Sequence, residues 1–236
     1  MLYIQKIRLF LQLSVLALLL AGINPFYGPL ADTVIIVSIF VLGNFFCGWI
    51  CPFGAYQELL SRLGNKLIKN RPTISPDFDK GLSILRYMPL LIAIPLIEST
   101  LNSRHVFLAF IYDRPILQIA FYAFIFFTFL SLIIERPFCR WLCIKGASYS
   151  ILSVGRLVTL KTRSECMTCK KCAKMCPVGI EPYKTKEVTD PRCIDCLNCI
   201  SSCPVKKGLS FGLKNFSAVK IFLSSLAFLY LLYILK

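Results

Sequence analysis

The chain has 236 residues, 56% of them hydrophobic, and its 27 Lys and Arg outnumber its 12 Asp and Glu to give a formal net charge of +15. A mean hydropathy of +0.68 excludes a purely soluble protein and makes most of the sequence membrane sequence. The positive charge does not imply nucleic acid, because no groove-reading motif and no aromatic single-strand platform accompanies it.

Read from the N-terminus, apolar stretches near residues 9 to 25, 30 to 50, 84 to 100 and 115 to 134 approach or reach the roughly 20 residues a helix needs to cross a bilayer. The first, with Lys6 and Arg8 before a leucine-rich centre and Ala21-Gly22 after it, has the form of a secretory signal. A retained anchor is the expectation. Lys and Arg mark the cytoplasmic loops. The segment from Asn24 to Thr33 has none, whereas Arg62, Lys66, Lys69, Arg71 and Lys80 follow the second stretch, with Arg86 at the start of the third. The loop after the third carries only Arg104 and Arg114, and Arg136, Arg140, Lys145 and Arg156 follow the fourth. The N-terminus is therefore expected on the cytoplasmic side, as are the ends of the second and fourth helices. Pro89 and Pro95 read as kinks in the third helix, and Arg104, His105, Asp113 and Arg114 as interfacial anchors.

One repeat spans the membrane part at a constant offset of 92 residues. Phe46-Cys47-Gly48-Trp49-Ile50-Cys51-Pro52-Phe53-Gly54-Ala55 aligns with Phe138-Cys139-Arg140-Trp141-Leu142-Cys143-Ile144-Lys145-Gly146-Ala147. Each copy closes a helical hairpin, which predicts two hairpins in tandem. Cysteines four apart share one helical face if the helix persists, so Cys47, Cys51, Cys139 and Cys143 form a candidate thiol site. Spacing does not distinguish a third cluster, another metal, a redox disulfide, or four small buried apolar residues. The motif glycines and Pro52 are expected to end the helices, and both tryptophans to sit at the membrane interface.

Beyond residue 156 the remaining eight cysteines form two near-copies of one run: Cys166, Cys169, Cys172 and Cys176-Pro177, then Cys193, Cys196, Cys199 and Cys203-Pro204. Each follows the C-x₂-C-x₂-C-x₃-C-P spacing of two-cluster bacterial ferredoxins, in which the fourth cysteine ligates the other cluster. The pattern assigns Cys166, Cys169, Cys172 and Cys203 to one [4Fe-4S] cluster and Cys176, Cys193, Cys196 and Cys199 to the other. Each proline stops the local helix so that the chain can turn around the cube. Two competing readings are weaker. A disulfide framework needs an oxidising compartment, and paired zinc sites show widely separated C-x₂-C pairs. Residues 157 to 215 hold eleven Lys or Arg against five Asp or Glu, a positive surface for anionic lipid headgroups or an acidic redox partner. A last apolar stretch, about 216 to 235, reads as a fifth helix that spans the bilayer or lies on its surface.

The expected fold is thus an all-α membrane bundle of four helices in residues 1–156, with an α+β two-cluster ferredoxin module in 157–212 and a C-terminal apolar helix in 213–236. The combination resembles the membrane ferredoxin-type proteins of the NapH and MauN kind, akin to the C-terminal membrane part of NosR. Cys47 and Cys51 match the first membrane motif of that group, and Cys139 and Cys143 the second, where Ile144 replaces the usual proline. The resemblance implies a multi-pass protein of a prokaryotic inner membrane with cytoplasmic clusters. It implies an electron-transfer subunit of quinol dehydrogenase type, passing electrons between the quinone pool and a partner oxidoreductase. Two alternatives stay open: a maturation or redox-regulatory protein delivering electrons to a client metal site, and a membrane anchor of a redox complex. His105 is the only histidine, which excludes bis-histidine haem, and no G-x-G-x-x-G element follows a predicted strand.

Overall fold

A computed structural model of the chain describes residues 2–22, 29–68, 72, 74–88, 107, 109, 111, 118–205 and 208–214. The chain forms two compact units. One comprises Met1–Arg8, Tyr27–Gly48 and Ser148–Lys236, and the other Leu9–Phe26 and Trp49–Ala147.

The first unit takes its N-terminal turns from α1 (Leu2–Leu20), followed by α2 (Pro29–Leu42) and most of α3 (Phe45–Trp49). The sequence predicts one helix over 30 to 50, yet it breaks between Leu42 and Phe45. Gly43 adopts a left-handed φ of 79°, the ordinary way to end a helix. Asn44 then turns its polar groups outward from the helix. Its backbone N–H donates to Asp195 Oδ2 at 3.0 Å and its side-chain amide to the Cys193 carbonyl at 3.0 Å. Tertiary hydrogen bonds override a continuous apolar run. Further along, β1 (Val158–Thr162) pairs antiparallel with β2 (Leu209–Leu213), in register from Val158 opposite Leu213 to Thr162 opposite Leu209. The two strands bracket everything between them. Leu160, Val178, Ile180, Val188 and Leu209 make the core of this module together with four cysteines. The α+β expectation for the module is met by this ribbon and two short helices, α9 (Lys171–Lys174) and α10 (Asn198–Ser202).

The second unit holds α4 (Pro52–Leu67), α5 (Pro76–Ser83) with the 3₁₀ turn Ile84–Tyr87, α6 (Gln118–Ile133), α7 (Pro137–Trp141) and the start of α8 (Ile144–Leu152). α4 packs on α6 through aromatic rings. Tyr56 stacks on Phe124 with centroids 5.9 Å apart, and its hydroxyl lies 3.3 Å from Thr128 Oγ1. Phe138 meets both Phe53 and Phe127 edge-on, at 5.4 and 5.3 Å. Pairs of this geometry contribute about 0.5–1.5 kcal/mol each beyond area burial. Glu58 of α4 accepts from Arg136 at 2.6 Å and Arg62 at 2.9 Å.

Among the described residues one helix, Tyr3–Leu20, is long and apolar enough to cross a membrane, and Thr33–Leu42 and Ala120–Ile133 are shorter apolar helices. The predicted third span is described only as far as Met88, where residues 84–87 form the 3₁₀ turn. The rest of that span, with Pro89 and Pro95, lies outside the described residues. So do Arg104, His105, Asp113, Arg114 and the apolar stretch from 216 to 235.

Candidate metal centre

The two cysteine runs match in backbone as well as in spacing. Thr168 and Lys170 have φ of 48° and 59°, and Asp195 and Leu197, each 27 residues further on, have 47° and 60°. Left-handed φ is uncommon outside glycine. Alternating hands turn successive N–H groups toward one side, the concave arrangement that receives anions and iron–sulfur centres. Each run then enters its short helix and leaves it before a Cys-Pro pair. α9 ends at Lys174 ahead of Cys176-Pro177, and α10 at Ser202 ahead of Cys203-Pro204.

Two cavities open against these runs. Cys166, Cys169, Cys172 and Cys203 line the first, with Met167 and Lys170. Cys176, Cys193, Cys196 and Cys199 line the second, with Leu160 and Ile194. The empty space in each, including the part open to solvent, is nearly the same, ≈ 320 Å³ and ≈ 310 Å³. In both, the structure gathers three cysteines of one run and the fourth of the other.

The donors fit a cluster better than a single ion. Two thiolates on one zinc, each about 2.3 Å from the metal, lie about 3.8 Å apart and point at one atom. Among the described residues, no three His, Cys, Asp or Glu side chains converge on a point in that way. The thiols ring a space. No disulfide joins any of the twelve cysteines. Burial pushes the Cys172 thiol above its ordinary value, and pushes Cys193 and Cys199 well above theirs. Thiolate at these positions therefore needs a cation beside it, which couples proton release to metal binding.

The environments of the two cavities differ. Cys193, Cys196 and Cys199 are only 5%, 8% and 7% exposed, whereas Cys169 is exposed. Over the second run lies a set of polar residues that sequence reasoning missed. Arg156 forms a buried ion pair with Asp195 at 2.9 Å and donates a further short bond to the Val188 carbonyl. Burial raises the Asp195 carboxyl, against the opposing pull of Arg156. Asp195 in turn lies 3.5 Å from Cys193 Sγ. Gln5 of α1 donates to the Cys196 carbonyl at 3.2 Å, and Arg8 bridges the Gly48 carbonyl at 2.9 Å and Asn198 Oδ1 at 2.9 Å. A Cβ on Gly48 would stand 2.2 Å from the Ile194 carbonyl oxygen, so only glycine permits this approach. The one available signal was Asp195 itself, a carboxylate inside an apolar cysteine run that needs a buried cation.

The membrane-motif cysteines depart from expectation. Helix α3 ends at Trp49 and α7 at Trp141, so neither cysteine pair rides one continuous helix. Cys51 and Cys143 instead stand immediately before new helices, and the motif glycines 54 and 146 fall in the first turns of those helices. Pro52 starts α4 where it was expected to stop a helix, because the first turn has no use for its missing N–H. Ile144 starts α8 in the same place, helped by the Cys143 thiol, which accepts from Gly146 N–H at 3.3 Å. Both copies therefore turn alike. Both tryptophans are buried, and Trp141 Nε1 donates to Asp79 Oδ1 at 2.8 Å. Cys47 packs against the core of the ferredoxin module, whereas Cys51, Cys139 and Cys143 pack against the aromatic cluster of the other unit.

Ferredoxin-type iron–sulfur binding is the class that this site defines. The family profile described as "4Fe-4S dicluster domain" matches residues 148–216, and that described as "4Fe-4S binding domain" matches residues 29–71 and 117–156. An uncharacterized protein of Methanocaldococcus jannaschii is 36% identical over 63% of this chain and 64% of its own length. The putative electron transport protein YccM of Escherichia coli is 31% identical over 79% of this chain and 56% of its own. The chain thus spans less than two thirds of either relative. The ferredoxin-type protein NapH of Haemophilus influenzae is 28% identical over 61% of this chain and 51% of its own. MauN of Methylobacillus flagellatus is 27% identical (65% and 55%), and the regulatory protein NosR of Pseudomonas aeruginosa 31% (56% and 20%). The chain is related to the NapH and MauN ferredoxin-type proteins and to NosR, as its motifs indicate. No solved structure matches it.

Proposed function

We propose that this chain is an integral-membrane iron–sulfur subunit that passes electrons between the quinone pool and a partner oxidoreductase. Cys166, Cys169, Cys172 and Cys203 hold one [4Fe-4S] cluster, and Cys176, Cys193, Cys196 and Cys199 the other. The observation that carries the reading is the exchange of fourth cysteines: Cys203 lines the cavity of the first run and Cys176 that of the second. When bound, the clusters supply reversible one-electron chemistry. The residues around them bury Cys193, Cys196 and Cys199 and place Arg156 beside a buried carboxylate.

Membrane residence is supported by the Tyr3–Leu20 helix and by α6, whose Tyr122, Phe126, Phe129 and Ile133 form an exposed apolar stripe at helical spacing. The Lys and Arg distribution supports a cytoplasmic N-terminus and ferredoxin module. The proposed route does not use a third metal centre at Cys47, Cys51, Cys139 and Cys143.

Anaerobic purification with iron and sulfide analysis tests the proposal. About eight irons per chain, two interacting cluster signals in EPR, and reduction by a quinol analogue without another protein are expected. Zinc or cystine at the eight positions overturns the cluster assignment, and about twelve irons restores a third centre. The name of NosR favours one second reading, a redox-regulatory role. Under that reading quinol analogues leave the clusters oxidised until a client protein is added.

A further inference from the structure

The first cavity opens on a different surface from the second. From Arg163 to Lys171 almost every residue is exposed, and Cys169 is among them. Lys170 lines the cavity beside Cys169, and Lys171 and Lys174 follow on α9. All three lysines are exposed. Met167 lines the same cavity at 65% exposure, and Met175 stands at the end of α9 at 51%. Flexible apolar side chains beside three lysines, which outnumber the exposed Glu165 of the same stretch, suit a surface that meets another protein briefly. The residues that line the second cavity are all buried or half-buried, and Gln5 and Arg8 bond to its run.

Resting on the electron-transfer reading above, we propose that the Met167–Met175 face is the port at which a soluble, acidic redox protein docks and exchanges electrons with the first site. Its Lys170, Lys171 and Lys174 steer the partner, and the exposed Cys169 edge brings the partner's centre closest to the cavity. The charge pattern favours a protein with a negative surface around its redox group. A lipid headgroup would satisfy the lysines but has no electron to give or take, and would bury the cysteine edge that the fold leaves open. The transfer is a single electron from the reduced first site to the partner's acceptor, with no proton and no bond exchanged.

The test uses the full chain in detergent, reduced anaerobically and mixed with three oxidants: the anion cobalt(III)-EDTA, the cation hexaammineruthenium(III), and an acidic flavodoxin in its oxidised form. Each accepts one electron, the flavodoxin together with a proton that its flavin takes from solvent and not from this chain. In the triple variant Lys170→Glu, Lys171→Glu, Lys174→Glu, with iron content and both EPR signals equal to wild type, oxidation by the cobalt anion and by flavodoxin falls about tenfold or more. Oxidation by the ruthenium cation rises, and the salt dependence of the flavodoxin reaction disappears. Rates unchanged by the charge reversal overturn the port. So does a wild-type rate that drops to the variant's level when phosphatidylglycerol vesicles are added, because the lysines then serve lipid. A wild-type protein that binds clusters and yields electrons to none of the three oxidants contradicts the electron-transfer reading itself, a result distinct from a charge-insensitive port. If the triple variant loses iron, Lys171→Glu and Lys174→Glu alone, both off the cavity wall, give the same comparison with a smaller ratio.

Discussion

The two cysteine runs share spacing, left-handed positions and cavity size, and differ in almost everything around them. Position 168 of the first run is an exposed threonine, and its counterpart 195 is a fully buried aspartate paired with Arg156. The first run faces solvent among lysines, while the second lies under hydrogen bonds from Gln5, Arg8 and Asn44. The two runs line cavities of nearly equal size. Burial and charge then made one of them an interior site and the other a surface site, and burial and charge are what tune a cluster once its ligands are fixed.

Gly48→Val gives the largest break in this comparison. The added Cβ would lie 2.2 Å from the Ile194 carbonyl and 3.3 Å from Cys196 Cα, and backbone atoms cannot yield that distance without moving the run. Iron is expected to fall from about eight to about four per chain, with the first site's EPR signal kept. The control is Gly208→Ala beside the first site. There the new Cβ meets Cys203 Sγ at 3.1 Å, a conflict that a small side-chain shift relieves, so both clusters remain. Loss of both signals in Gly48→Val would mean that the sites do not assemble independently.

The second break is Asp195→Ala, which leaves the Arg156 guanidinium buried without its carboxylate. Removing one partner of a buried pair costs about 3–5 kcal/mol, read here as a lowered midpoint for thermal loss of the second cluster. Thr168→Ala at the matching position is exposed and should change its midpoint within about 0.5 kcal/mol. Equal effects at 168 and 195 would show that the environments are not what separates the sites. A redox titration followed by EPR sharpens the same point. Reduction adds negative charge, which burial opposes and water and lysines favour, so the first site should be reduced at the higher potential.

How much of this was legible beforehand depended on range. The grouping of the eight cysteines and the two helix-stopping prolines were readable because ligand spacing is local, whereas the ribbon that pairs Val158 with Leu213 was not. The membrane motifs misled for a physical reason. Four-residue spacing suggests one helical face, but Trp49 and Trp141 end their helices, and Cys51 and Cys143 each precede a new one. The difference between Gly48 and Arg140, which occupy the same place in the two copies, was visible and uninterpreted. Gly48 admits the second cysteine run, whereas Arg140 is buried and pairs with Asp79 at 2.5 Å. Contacts 146 or 190 residues apart, such as Gly48 with Ile194 or Arg8 with Asn198, leave no periodic trace in a single sequence.

The smallest expected effect is on pH. Burial raises Cys193 and Cys199 well above the ordinary thiol value of 9.0 and raises Cys172 in the first site. Cluster uptake requires thiolates, so at fixed iron and sulfide the second site should fill over a higher pH range than the first, and release its cluster first on acidification. The sign reverses for the iron-free fold. A thiol whose value is raised by folding holds its proton more tightly when folded, so its contribution to stability is complete below about pH 9 and is lost as pH rises toward the folded value. Iron-free protein should therefore lose stability on going from pH 8 to pH 10, while loaded protein, whose sulfurs are already deprotonated and paired with metal, should not. Parallel uptake curves at the two sites would show that burial does not separate them chemically.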